Sequence, residues 1–404
     1  MRHSSILRSS RARLAPLSAV ALVVACQGSL GSTAVVGQGG DGGTSATDAA
    51  RPEDAGGVER DATMPPRVDG GVVIPEGDPV FVVTGKFARI TTSCDDGLTF
   101  PFNRSDDDGA SCSGIDCDHH PGSATGLAFG GGDVYASFGW GSYPTRVMRS
   151  SDGTHWETVF TMSGFAFAGL VWAGDRLIGA EAWPRYSTDR GMTFRMAEWP
   201  DYRIAEGMWP NARRVGYADF DGGRIALISG NGDGSWGDTT VSSDHGLTYR
   251  HPTTLPEGCR GHSREMAYGG GVWVQAWGNT GVVCRSTDGG DHWELTTVVT
   301  SDAGSTAAPI WTGSEFVIFA GMRAYRSADG ATWTGSDIDA RITIADYNPV
   351  TGTYLGTGGG SYATQRLYRS TDGGQHWEEL SESAFRRSHP IAFIRFGYVS
   401  GACD

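Results

Sequence analysis

The sequence is poor in charge and poorer still in positive charge. Of 404 residues only 19% are charged, 32 Lys and Arg stand against 46 Asp and Glu, and the formal net charge is -14. So acidic a chain lacks the positive face that displaces counterions from a duplex, which excludes nucleic acid as a partner. Beyond residue 26 no apolar run reaches the length of a membrane-spanning helix. No Gly-X-Y period makes a collagen of the 61 Gly, and so much Gly breaks helices, which excludes a helical bundle. A P-loop, a dinucleotide fingerprint and a Ser-His-Asp spacing are also missing. What is present is Gly at about twice ordinary usage beside 13 Trp. That combination points to many tight turns between packed strands.

The chain opens on Arg2, Arg8, Arg11 and Arg13, then an apolar run from Leu14 to Ala25 and Cys26. This is a secretory signal pattern. Residues Val23, Val24, Ala25 and Cys26 resemble the bacterial lipobox, and the resemblance implies a signal peptide over 1–26, lipidation at Cys26 and, with Gln27 following, an outer-membrane lipoprotein. An ordinary cleaved secreted protein is the alternative. Residues 27–78 are Gly, Asp, Ala, Ser and Thr with almost no aromatic residue, as in "GQGGDGGTSATDAARPEDAGG". Such a stretch buries too little apolar surface to offset its chain entropy, so a disordered tether is expected. The remaining residues, 79–404, still carry a net charge of -12.

One short pattern recurs seven times after the tether: "SCDDGLTF" from 93, "SSDGTHW" from 150, "STDRGMTF" from 187, "SSDHGLTY" from 242, "STDGGDHW" from 286, "SADGATW" from 327 and "STDGGQHW" from 370. The starts lie 57, 37, 55, 44, 41 and 43 residues apart, a blade-sized period. Each copy sits between two short alternating runs, such as "VVCRS" and "WELTTV", and so reads as the turn of a hairpin. Ser and Asp side chains bond to the backbone of their own turn, Gly supplies a positive φ, and the closing aromatic packs into the core. The pattern resembles the Asp-box, or BNR, repeat of sialidases, xyloglucanases, sortilin-type receptors and Ycf48-type assembly factors. The resemblance implies an all-β fold: a single seven-bladed β-propeller of four-stranded blades over 79–404. The chain ends on a lone inner strand, "HPIAFIRFGYVSGACD", and begins on outer strands, "PVFVVTGKFARITTSCDDGLTF". The N- and C-termini are therefore expected to share one blade, which removes an open edge.

Six Cys remain beside Cys26 in an export compartment that permits disulfides. Cys403 follows the lone inner strand, which descends toward the turn holding Cys94, so a Cys94–Cys403 staple is expected. Cys112 and Cys117 suit a local bridge. Cys259 and Cys284 stand at opposite ends of their unit, which leaves either a bridge between them or a free buried Cys284.

The connections from second to third strand lie on the face opposite the turns, and four of them carry Trp140, Trp183, Trp236 and Trp277, with Trp209 in a neighbouring connection. Exposed Trp suits stacking on a sugar or gripping a peptide; packing between blades is the alternative. A second group enters the inner strands: His119 and His120, Arg213 and Arg214, His262, Arg264 and Glu265, Arg341, and His389. Three His from separate blades suit a transition metal, but the accompanying Arg favour a carboxylate or sulfate instead, so no metal and no cofactor is expected. His155, His292 and His376 occupy one place in three turns and look structural. The run Asp106, Asp107 and Asp108 with Asp116 and Asp118 does not match an EF-hand spacing and reads as a solvated acidic loop.

Two functional classes follow. The first is an envelope-anchored propeller, periplasmic or surface-facing, monomeric, and held to the membrane only by its lipid, that binds a glycan or protein segment. The second is a glycan-active hydrolase or lyase, for which Glu181, Glu206, Asp233, Asp238 and Glu265 are the carboxylates on the right face. "KFARIT" over 86–91 departs from the Phe-Arg-Ile-Pro motif of sialidases, and the xyloglucanases place their catalytic Asp residues between two propellers where this chain has one. Whether the chain is catalytic stays open at this level.

Overall fold

The computed structural model of the protein describes residues 76–403, apart from 106–121, 140–144, 164–166, 168, 181–183, 199–211, 218–224, 231–236, 260–262, 278–280, 299–307, 359–364 and 382–390. All of them belong to the second of two units into which the chain divides, residues 60–404. The expected signal peptide, the expected tether, apart from 76–78, and the expected Cys112–Cys117 bridge lie outside the described residues.

Short apolar-polar alternations separated by Gly-rich turns yield strands throughout. They are β1 (Asp78–Gly85), β2 (Ile90–Ser93), β3 (Phe102–Arg104), β4 (Ala124–Gly130), β5 (Asp133–Phe138), β6 (Thr145–Ser150), β7 (Glu157–Met162), β8 (Gly169–Trp172), β9 (Leu177–Ala180), β10 (Arg185–Ser187) and β11 (Arg195–Met196). Next come β12 (Ala212–Tyr217), β13 (Ile225–Gly230), β14 (Gly237–Ser242), β15 (Ser263–Gly269), β16 (Val272–Trp277), β17 (Val282–Ser286) and β18 (Glu294–Val298). The last are β19 (Ile310–Trp311), β20 (Phe316–Ser327), β21 (Thr334–Ile342), β22 (Ile344–Asn348), β23 (Thr353–Gly358), β24 (Arg366–Ser370), β25 (Glu378–Glu379) and β26 (Ile391–Val399).

These strands form seven antiparallel sheets. Six are each built from one continuous stretch of chain, and the remaining one, ordered β26-β1-β2-β3, is composite. The expectation of seven uniform four-stranded blades is corrected by this strand order, because five sheets have four strands and two have three. In the β12-β13-β14 sheet the outer strand shrinks to one bridge, Val241 with Arg250. His251 and Pro252 follow, and Pro has no N–H with which to extend a ladder. In the β19-β20-β21 sheet the second and third positions fall in one element: the first part of β20 pairs with β19 and the last part with β21. Gly321, at φ +67°, lies between the two parts.

The core lies between sheets. Val82, Ile90, Leu127, Phe138 and Met148 form one cluster joining the composite sheet to the β4-β5-β6-β7 sheet. Tyr135, Phe167 and Leu177 join that sheet to the next, and Phe81, Leu355, Leu367 and Ile394 join the composite sheet to the one before it. Close approach between sheets depends on missing Cβ atoms. A Cβ on Gly130 would meet the Trp172 ring at 1.8 Å.

All seven Ser-x-Asp turns are described. In each, the Ser hydroxyl and the Asp Oδ1 two residues on are hydrogen-bonded at 2.7–3.0 Å. The Asp accepts backbone N–H groups further along; Asp152, for example, takes those of Thr154 and His155 at 2.7 Å. Its second oxygen accepts Thr99, Thr193 or Thr248 in three turns and faces the ring of His155, His292 or His376 in three others. The indole N–H of Trp156, Trp293, Trp333 and Trp377 donates to a glycine carbonyl three residues before it.

Five of the seven turns are also held by the preceding sheet. The residue just before the turn Ser donates to a backbone carbonyl in the turn of the next sheet: Thr92 to Gly153 at 2.6 Å, Arg149 to Arg190 at 3.4 Å, Arg285 to Asp329 at 2.9 Å, Arg326 to Gly373, and Arg369 to Asp96 at 2.8 Å. Where the left-handed turn residue is not Gly, its side chain reaches back as well. Asp96 (φ +61°) accepts Asn348, Thr353 and Arg369, and Arg190 (φ +58°) pairs with the buried Asp133.

The composite sheet closes over nearly the whole length of β1, from Asp78 opposite Val399 to Gly85 opposite Ile391. Beyond β26, Ser400 N–H donates to Gly132 and Gly401 N–H to Ser151, tying the tail to the next sheet. Cys94 and Cys403 are bonded across 309 residues of sequence, with Cα atoms 5.6 Å apart. Cys259 and Cys284 are bonded too, which decides between the two alternatives left open for them. The segment before β15 does not run straight to the inner edge: Thr254 bridges His292, and a single 3-10 turn (Glu257–Cys259) places Cys259 against β17.

Two predictions follow from these contacts. Cys94→Ser should lower the unfolding free energy by roughly 3–5 kcal/mol, read as a lower melting temperature under non-reducing conditions; a melt matching the parent chain would show that the pairing of β26 with β1 suffices. The second concerns acid. Burial opposes ionisation of Asp95, Asp152, Asp189, Asp244, Asp288 and Asp372, yet their hydrogen bonds outweigh it and hold all six below the ordinary carboxylate value. At Asp329 the backbone N–H groups of Thr332 and Ala331 lead the same lowering. Asp372 is pushed down to about 2 from 3.8. A depressed folded-state value contributes stability that is complete above the unfolded value and lost as pH falls through the folded one. Denaturant melts should therefore hold level down to about pH 5 and weaken steeply toward pH 2, with a shallower acid limb in Asp372→Asn.

Candidate functional site

Because neighbouring strands are antiparallel and every Ser-x-Asp turn follows a third strand, all these turns share one end of the sheets. The links from second to third strand share the other end. At that end β16 finishes on Trp277. By sequence, Trp140 falls between β5 and β6, Trp183 between β9 and β10, and Trp236 between β13 and β14; all three lie outside the described residues, as do Trp209, His119, His120, His262 and His389.

The backbone of Arg213, Arg214, Arg264 and Glu265 is placed at the start of β12 and β15, and that of Asp238 near the start of β14. A bulge separates Ser263 from Glu265, whose partner is Ala276, next to Trp277. Arg341 lies half-buried near the end of β21, directly before β22. Of the carboxylates considered for glycan chemistry, Glu181, Glu206 and Asp233 lie outside the described residues. The described Trp side chains, by contrast, are engaged in structure. Trp156, Trp293, Trp333 and Trp377 close turns, Trp172 and Trp311 cover Gly130 and Gly269 of the preceding sheets, and Trp273 is fully buried.

One further constellation lies at this end, between the composite sheet and the β4-β5-β6-β7 sheet. The β1–β2 link makes a two-residue turn, closed by Arg89 N–H donating to the Lys86 carbonyl at 3.1 Å. Its central residues, Phe87 and Ala88, have φ of +57° and +52°. A hairpin turn with two positive φ values ordinarily takes Asn-Gly, and each L-residue forced there costs about 1–2 kcal/mol. The turn is held by its neighbours. Ala88 N–H donates to the Gly122 carbonyl at 2.7 Å, the Ser105 hydroxyl to the Phe87 carbonyl at 3.4 Å, and Phe87 and Arg89 are buried. Lys86 Nζ then donates to Ser123 Oγ at 3.4 Å. Arg104, beside Ile90 in the ladder, reaches Met148 of β6, and Arg146, two residues before Met148, stands 5.5 Å from the Phe138 ring. The members of this group are scattered over 86–146 and share no local pattern; the one signal of it in the sequence is the basic run "KFAR".

On the turn end, Asp288, Asp291 and His292 bring ligand atoms within 4.8 Å of one another. Asp291 already accepts Arg250 and Thr253, and Asp288 faces His292, so their acceptors serve the turn itself.

No protein-family model and no curated protein matches the sequence. Solved structures do match the fold. A xyloglucanase from Xanthomonas campestris aligns at TM-score 0.54 and 16% identity, over 76% of this chain and 53% of that one. A periplasmic gluconolactonase from Pseudomonas aeruginosa aligns at TM-score 0.53 and 10% identity, over 80% and 99%. The fold is a β-propeller. This chain spans about half the length of the xyloglucanase. A structure described as Ycf48 bound to D1 peptide aligns at TM-score 0.49 and 15% identity, over 69% and 93%. At these identities the propeller likeness fixes the fold and leaves the chemistry to the chain's own residues.

The strained turn supplies a direct test. Ala88→Gly should raise stability by about 0.5–1 kcal/mol, the relieved backbone outweighing the added chain entropy. Gly122→Ala should lower it, since the new Cβ would lie 2.7 Å from Ala88 N; calorimetric melts of the two variants should move in opposite directions.

Proposed function

We propose that the protein is an exported Asp-box propeller, lipid-anchored through Cys26 at the outer membrane, whose loop face opposite the Ser-x-Asp turns binds a glycan or a protein segment. The observation that carries this is the shared polarity of the sheets, which directs the links bearing Trp140, Trp183 and Trp236, and the end of β16 at Trp277, to one end. Every described Trp side chain has a packing role, and the side chains of these four are not among those described. Arg213, Arg264 and Glu265 enter inner strands at the same end, Arg341 stands near the end of the outer strand β21 just before β22, and His120, His262 and His389 precede inner strands in the sequence. Aromatic faces beside Arg and His suit a sugar ring or an extended peptide bearing an anionic group. In this reading the chain acts as a monomer, without a metal or cofactor, and the residues 27–78 are the tether between lipid and propeller.

A glycan-array screen with product analysis tests the reading. Trp183→Ala combined with Trp277→Ala should weaken binding about tenfold or more with little change in melting temperature. A large stability loss with unchanged binding would return both residues to the core, and release of sugar would make the protein an enzyme.

A further inference from the structure

The two described disulfides stand in opposite surroundings. Cys259 and Cys284 are 2% and 0% exposed and share a core cluster with Trp273 and Trp293. Cys94 and Cys403 are both partly exposed at the turn end, and Asp95 and Ala402 beside them in the chain are exposed. Thiol–disulfide exchange requires a thiolate to reach one sulfur of the bond, so access separates the two pairs. The buried pair is closed to attack while its sheet stays folded.

The partly exposed pair fastens a distinct piece of chain. Beyond Val399, where the ladder with β1 stops, Ser400 N–H donates to the Gly132 carbonyl at 2.8 Å, Gly401 N–H to the Ser151 carbonyl at 2.7 Å, and Cys403 N–H to Asp78 Oδ2 at 3.1 Å. Breaking the Cys94–Cys403 bond therefore loosens this tail and leaves β26 paired with β1. With Val399 still opposite Asp78, the two sulfurs stay neighbours, and a high effective concentration favours their rejoining. The local charge is negative. Asp96 and Asp152 have Arg369 and His155 as partners, whereas the donors to Asp78 and Asp95 are neutral and leave their charge in place.

We propose that the Cys94–Cys403 bond is a reversible redox latch, opened by a dithiol whose approaching surface is basic, while Cys259–Cys284 is a permanent bond. In the first step a thiolate of the dithiol attacks one sulfur, the Cys94–Cys403 bond breaks, and a mixed disulfide forms. The second thiol of the reductant then displaces the remaining sulfur. Two electrons pass from the dithiol, which leaves as its own disulfide, and two protons end on the thiols of Cys94 and Cys403. The incoming thiolate meets like charge from Asp78 and Asp95; a cationic group carried beside it offsets that repulsion, and an anionic group adds to it. This latch is independent of what the opposite end of the sheets binds.

The test treats the purified, oxidised protein with cysteamine, mercaptoethanol and mercaptoethanesulfonate, which share one thiol stem and end in a cation, a neutral group and an anion. Each is used at equal thiolate concentration, and each rate is divided by that on a small uncharged disulfide. Freed cysteines are alkylated at intervals and mapped by mass spectrometry. Cys94 and Cys403 should be labelled about tenfold or more faster than Cys259 and Cys284. At low salt cysteamine should open the latch about tenfold faster than mercaptoethanesulfonate, a gap that closes at about 1 M salt. Asp78→Asn keeps an acceptor for Cys403 N–H and should narrow the gap about threefold. Hydrogen exchange at Ser400 and Gly401 should quicken about tenfold or more on opening, with β15 to β18 unchanged. Once reductant is removed, the bond should re-form at a rate independent of protein concentration. Labelling of both pairs together, equal corrected rates for the three thiols, unchanged exchange at Ser400 and Gly401, or loss of protection in β15 to β18 would each overturn the proposal.

Discussion

The short hydrogen bond between a turn serine and the aspartate two residues later is the contact on which the rest of the structure depends. It aims the carboxylate at the backbone N–H groups of its own turn, and it leaves the turn carbonyls pointing outward. Those carbonyls are what Thr92, Arg149, Arg285, Arg326 and Arg369 take from the neighbouring sheet. One local motif thus does two jobs, closing a hairpin and linking it to the sheet before it. The lowered pKa values of the seven aspartates express the first job, since each is the sum of several donors converging on one carboxylate.

Much of this was legible because it is local chemistry. The Ser-x-Asp spacing named the turns, and the alternation around "VVCRS" and "WELTTV" matches β17 and β18. The lone inner strand at the end of the chain accounted for the composite sheet, and through it for Cys94 with Cys403. Departures arose where a distant or single residue decided the outcome. Pro252 curtails an outer strand that the repeat alone would supply, and the Cys259–Cys284 bond depends on a detour before β15 that periodicity does not encode. The arginine before four of the turns stood in plain view in "MRS", "CRS" and two copies of "YRS", but its partner belongs to the next repeat.

The candidate site was less legible for a related reason. The aromatic loops can be assigned to one end of the sheets from strand polarity alone, which is a property of the whole fold. The group of residues around the β1–β2 turn needs register: Ile90 opposite Arg104, Phe138 opposite Arg146, and Gly139 bonded to Ser123. A one-residue slip in any of these ladders would turn a cation to the other face of its sheet. The two ends of the sheets therefore differ in kind, one consumed by repeated turns and the other varied from link to link.

The composite sheet also sets the order in which the molecule can be completed. Strands β1, β2 and β3 are the first of the described chain to be made, yet the inner edge of β1 has no partner until β26 arrives some 300 residues later. Loop closure over that span is among the slowest steps available to an all-β chain. Until then a hairpin rich in Val, Phe and Ile carries a bare edge, open to pairing with another copy of itself. The last strand is thus a seal, and a chain cut short before Ile391 would retain nearly all of its sheets and still be the species most prone to aggregate.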